Sequence, residues 1–115
     1  MTWNQWGDVA VLRPAGDLRE GPEGDEVDRL LGVFARSGRR VVLDLTETGQ
    51  LSARALGILA RACDEAIHHG GRVVLCGVNE RQRWLLGITR LNGVLDIYET
   101  PASAITGLTG RQAVA

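Results

Sequence analysis

The stretch Arg39–Val78, RRVVLDLTETGQLSARALGILARACDEAIHHGGRVVLCGV, carries the plan of the chain. Two short apolar runs, Val41–Leu45 and Val73–Cys76, bracket a longer segment whose apolar residues recur at helical spacing. Such runs suit strands covered on both faces of a parallel sheet, and parallel neighbours need a crossover of at least about a dozen residues. The segment from Ser52 to about His69 supplies that crossover, with serine suited to the N-cap and Gly70-Gly71 closing the helix. Between the first strand and this helix lies a polar turn, TETGQ, with no obvious reactive group.

The same alternation extends in both directions. Upstream, DVAVLRPAG reads as a strand broken by Pro14 and Gly16, and GDLREGPEGDE as a polar loop. Val27, Leu30, Leu31 and Phe34 then follow helical spacing to an end near Gly38. Downstream, a helix begins at Asn79 with Gln82 placed for a capping box, and VLDIY reads as a further strand. A last helix has Thr100 as N-cap and Pro101 in its first position. MTWNQW can add a strand at the sheet edge. The expected architecture is an α/β sandwich with largely parallel inner strands. At 115 residues and 44% hydrophobic content, the whole chain, 1–115, forms one domain, with 109–115 frayed at its end.

Composition removes several function classes. The formal net charge is −1 with acids and bases interspersed, so neither nucleic acid nor an anionic membrane is favoured. No apolar run approaches the roughly 20 residues of a spanning helix, and MTWNQWGD lacks the pattern of a secretory signal, so a cytoplasmic location is expected. Cys63 and Cys76 sit in apolar surroundings, as buried reduced thiols do, and form no metal-binding pair. His68 and His69 are adjacent on a helix and point about 100° apart, which suits a favourable place at a helix C-terminus better than metal binding. Lysine is absent, which excludes a phosphate-binding loop of the lysine-dependent kind, and no constellation for catalysis or a cofactor emerges. Asp44 ends its strand where ligands of α/β sheets collect, as the phosphoacceptor of a receiver domain would. The acidic pair and the lysine of that chemistry are missing, leaving Asp44 to bond nearby turn amides.

VAVLRPAGDL, the Arg39–Val78 stretch and NERQRWLLGITRLNGVLDIYET together resemble a STAS domain, the fold of bacterial anti-sigma factor antagonists. The resemblance spans nearly the whole chain and implies a two-layer sandwich with a mixed sheet of about four to five strands and helices mainly on one face. It also implies a non-catalytic module that binds a protein partner, typically a kinase-like anti-sigma factor, in transcription regulation or related signalling. An adaptor role on a transporter ATPase and a small-molecule or nucleotide sensor are the alternatives, and a homodimer is left open.

In family members that switch by phosphorylation, the second helix opens with a pattern like Asp-Ser-x-Gly. Aligned on Leu56-Gly57, those places hold Ser52, Ala53, Arg54 and Ala55, so the phosphoacceptor place holds Ala53. Ser52 could take that part only by giving up the cap, and it lies about 100° away from the usual target. The family's aspartate after Gly-x-Leu is replaced by Arg19. Placing the second helix at about 100° per residue puts Ala55, Leu56, Leu59, Ala62, Cys63, Ala66 and Ile67 on its apolar arc. Ile58 then falls on the polar arc between Arg54 and Arg61, an apolar centre with an arginine rim. Arg19, Ser52, Ala53, Arg54, Gly57, Ile58 and Arg61 are thus the expected partner-binding residues. On the third helix, Trp84, Leu85, Leu86, Ile88 and Leu91 wrap too far round for all to be buried, leaving Trp84 or Leu86 partly exposed.

Overall fold

The computed structural model describes residues 1–18 and 21–110. Its elements in chain order are β1 (Thr2–Trp6), β2 (Val9–Arg13), β3 (Gly16–Leu18), α1 (Pro22–Arg36), β4 (Arg40–Asp44), β5 (Thr48–Leu51), α2 (Ala53–His68), β6 (Arg72–Cys76), α3 (Glu80–Ile88), β7 (Ile97–Tyr98) and α4 (Pro101–Thr109). A five-stranded sheet runs in the order β1-β2-β4-β6-β7. The pairs β2–β4, β4–β6 and β6–β7 are parallel, and β1 joins the edge antiparallel to β2. This is the mixed α/β sheet that the alternation implied, and MTWNQW is its edge strand.

The two-residue period of a strand explains why the inner runs are apolar throughout. Ala10 and Leu12, Val41 and Leu43, and Val73 and Leu75 point to one face, where they pack with Val27, Leu31, Leu59, Ala62 and Leu86. Val9, Val11, Val42, Val74 and Cys76 point to the other face and meet Ala104 and Ile105 of α4. Register aligns Leu12 with Leu43 and Leu43 with Leu75, which lays a row of leucines across the sheet. Three helices therefore contribute to the larger core and α4 alone to the smaller one.

Caps follow the residues that promised them. Thr100 accepts the amide of Ser103 with Pro101 at the first helical turn, and Asn79 and Gln82 form a reciprocal capping box. Helix α1 begins at Pro22, upstream of the first apolar residue of its periodic pattern, because proline suits the first turn of a helix. Two further segments that read as loop form a small sheet of their own: β3 pairs in parallel with β5. Of the segment expected to fray, Thr109 ends α4 and Gly110 caps it in the left-handed region, while 111–115 lie outside the described residues.

Candidate turn and helix start on the α2 side of the sheet

The β3–β5 pair places the polar turn against the start of α2. Gly16 N donates to Glu47 O at 3.0 Å and Ser52 N to Leu18 O at 2.9 Å, so both ends of the turn are tied to the strand after β2. The Thr48 hydroxyl donates to Pro14 O at 3.0 Å, and Gln50 N donates to Asp17 Oδ1 at 2.8 Å. Gly49 sits directly beside the Asp17 carboxylate, where a Cβ would overlap Oδ1. Behind the turn, Gln82 is buried and its side-chain amide donates to Thr48 O at 2.8 Å and to Gly49 O at 2.7 Å. A single α3 side chain thus donates to two successive carbonyls of the turn.

Asp44 lies beneath the same turn, 1% exposed. Its Oδ1 accepts the Thr46 amide at 3.0 Å and also the Thr46 hydroxyl, and its Oδ2 accepts Arg13 Nε at 2.9 Å. Burial pushes this carboxyl up, but the Thr46 bonds and the Arg13 guanidinium outweigh burial and hold it below its ordinary value. The carboxylate therefore closes the β4–β5 turn, the part its turn chemistry predicted. Gly77, at φ 67°, leaves room for it, since a Cβ there would meet Thr46 and Asp44. Burial also pushes the neighbouring Cys76 thiol up, to about 12, with the Asp44 charge adding to the effect. Cys63 and Cys76 are buried free thiols, as their sequence surroundings implied. His68 and His69 each set Nδ1 against the carbonyl four residues earlier, at 2.8 Å.

At the helix start, Ser52 Oγ accepts the Ala55 amide at 3.1 Å, which spends the serine on the N-cap. Ala53, the first helical residue, is exposed, and Gly57 one turn on faces open space. Arg54 reaches across to α1, with Asp25 at 2.7 Å and Asp28 at 3.9 Å, and Arg61 approaches Asp28 at 3.9 Å. The two arginines clasp the helix pair. Arg19 lies outside the described residues.

Ile58 is where the sequence reading fails. It is 4% exposed and lies between the helices with Leu18, Val27 and Leu59, so it cannot be the centre of a surface patch. Ile67, placed on the buried arc, is 61% exposed. The buried arc runs from Ile58 through Ala55, Ala62, Ala66 and Leu59 to Cys63, rotated by about 40° from the expected one. Its cause is tertiary: α2 packs on α1 as well as on the sheet, and the flank nearer α1 is covered. On α3, of the two residues expected to compete for exposure, Trp84 is exposed and Leu86 fully buried, and Ile88 is exposed as well. The role of Gln82 beyond its capping box was missed. Its only sequence signal was an amide at the third position of a helix, which says nothing about two carbonyls in a distant turn.

The STAS domain family model matches residues 3–104. A Thermotoga neapolitana protein whose name describes it as an anti-sigma factor antagonist is 26% identical over 105 residues, 90% of this chain and 93% of its own. An anti-sigma factor antagonist from Mycobacterium paratuberculosis superposes with a TM-score of 0.80 at 18% identity, covering 93% of this chain and 91% of that one. The Bacillus cell fate determinant SpoIIAA in its phosphorylated form does so at 0.72 and 14%, covering 92% and 96%. At these identities the two solved structures speak for the fold alone, whereas the family model covers most of the sequence: the chain belongs to the STAS domain family.

Proposed function

We propose that this chain is a non-catalytic interaction module that binds a kinase-like anti-sigma factor, or a signalling partner of that kind, through the turn and the start of α2, without a serine phosphorylation switch. The observation that carries the reading is the pair of roles at the helix start. Ser52 Oγ is held by the Ala55 amide, and the exposed first residue, Ala53, has no hydroxyl to accept a phosphate. The surrounding helix start is ordered by the Leu18 and Ser52 bond, and Ala53 and Gly57 leave its exposed face low and open to a partner backbone. Arg54 and Arg61 flank that face while clasping α1.

The reading is tested by mixing the protein with its kinase-like partner and ATP and following intact mass and complex formation together. A stable complex with unchanged mass is expected. Phosphate transferred to Ser52 would overturn the absence of a switch, and failure of any kinase-like regulator to bind would overturn the partner class.

A further inference from the structure

Helix α3 turns Gln82 and Leu86 inward and leaves Trp84 and Ile88, one turn apart, 62% and 57% exposed. At about 100° per residue, Arg81 falls on one flank of that pair and Arg83 on the other, and Arg90 follows just beyond the helix end. All three arginines are exposed, and among the described residues none of them makes an ion pair. Arg13, Arg36, Arg40, Arg54, Arg61 and Arg72 each reach a carboxylate. Arg29 on α1 and Arg39, stacked over Phe34, make no ion pair among the described residues either but stand apart, so α3 and its end are where such arginines gather around an apolar pair. On a chain of net charge −1, the segment from Glu80 to Arg90 sets three arginines against the one carboxylate of Glu80, one turn before Trp84, and is a local positive surface with an apolar centre. Gly87 shares this face. A Cβ there would meet only the Asn92 side-chain nitrogen, at 3.9 Å, so the fold itself has no use for a glycine that weakens its helix.

We infer that the outer face of α3 is a second protein-docking surface, occupied by an acidic amphipathic segment of a partner. The partner's apolar side chains cover Trp84 and Ile88, its carboxylates meet Arg81 and Arg83, and Gly87 lets its backbone come close. Tryptophan at the centre and arginine at the rim are the residue types that carry binding energy at interfaces, and the unpaired charges choose an acidic occupant. Three arginines fall short of the cluster of about four to eight basic residues that recruits an anionic membrane. The inference rests on the reading of the chain as a protein-binding module and extends it to a separate surface. Because Gln82 fastens the opposite side of α3 to Thr48 and Gly49, that surface is held in a fixed relation to the start of α2.

A synthetic amphipathic helix of leucine and glutamate, about four turns long, serves as the probe, with its leucine–lysine counterpart as control, and binding is followed by isothermal titration calorimetry. The glutamate peptide should bind at least about tenfold more tightly than the lysine peptide, and Trp84→Ala or Arg81→Glu with Arg83→Glu should each weaken it by at least about tenfold. Circular dichroism of these surface variants should match the parent. Equal binding of both peptides, binding indifferent to the substitutions, or affinity for phosphatidylglycerol vesicles in place of the peptide would each overturn the inference. So would self-association that the double substitution abolishes, which would make a second copy the occupant. No kinase-like partner and no α2 residue enters this titration, so its failure is distinct from failure of the reading at the α2 start.

Discussion

The side-chain amide of Gln82 donates to the carbonyl oxygen of Thr48 at 2.8 Å, joining the first turn of α3 to a turn 34 residues away. The bond is buried, and the same nitrogen also serves Gly49. Through it, the loop that precedes α2 is braced from behind by a helix that belongs to another part of the chain.

Replacing that amide should therefore cost more than a cap. Gln82→Leu, of similar bulk, removes the donors to both carbonyls and half of the capping box, and should lower stability by about 1–3 kcal/mol in urea denaturation. Gln82→Glu should be worse at neutral pH, because an ionised carboxylate would face two carbonyl oxygens, and should recover partly as acid protonates it.

The two isoleucines of α2 should behave oppositely. Ile58, packed between the helices, should cost about 2–5 kcal/mol on truncation to alanine, and Ile58→Asp should leave the protein unfolded. Ile67→Asp, on the open flank, should stay within about 0.5 kcal/mol of the parent. Thermal unfolding of the three variants reads both effects.

Asp44 makes the fold acid-sensitive in a defined direction. Its carboxyl titrates below the ordinary value in the folded protein, so the unfolded chain takes up the proton first as pH falls. The stabilisation is complete above the ordinary carboxylate range and is lost as pH drops through the folded value. Asp44→Asn removes the charge that Arg13 meets, so the stability gap between parent and variant should be wide near neutral pH and shrink progressively as pH falls below the ordinary carboxylate range. Urea midpoints across that range measure it.

Cys76, with its thiol pushed up to about 12 and no exposure, should resist alkylation in the native protein at mildly alkaline pH. Cys63, also buried and bonded to Val94 O at 3.3 Å, should do the same. Both should label fully in denaturant, and rapid native labelling of either would contradict the packing described.

Local signals carried much of this protein. The inner strands were legible because burial on both faces forces unbroken apolar runs, and the caps at Ser52, Asn79 and Thr100 because a helix start must satisfy its own amides. Asp44 was legible for the same local reason, its carboxylate having turn amides within reach. The order of these elements carried the family. What the chain could not state by itself was anything set by two distant segments at once. The β3–β5 pair is too short and polar to announce itself, since its strands of three and four residues pair with each other and not with the main sheet. The phase of α2 was misread because helical periodicity specifies an apolar arc but not how many neighbours will cover it. The arrival of α1 on one flank buried Ile58 and left Ile67 outside. The arginines divide in the same way: sequence supplied their charge, and only the packed structure decided that Arg54 and Arg61 are spent on α1 while Arg81 and Arg83 are not, because an ion pair requires a carboxylate brought within reach by the fold.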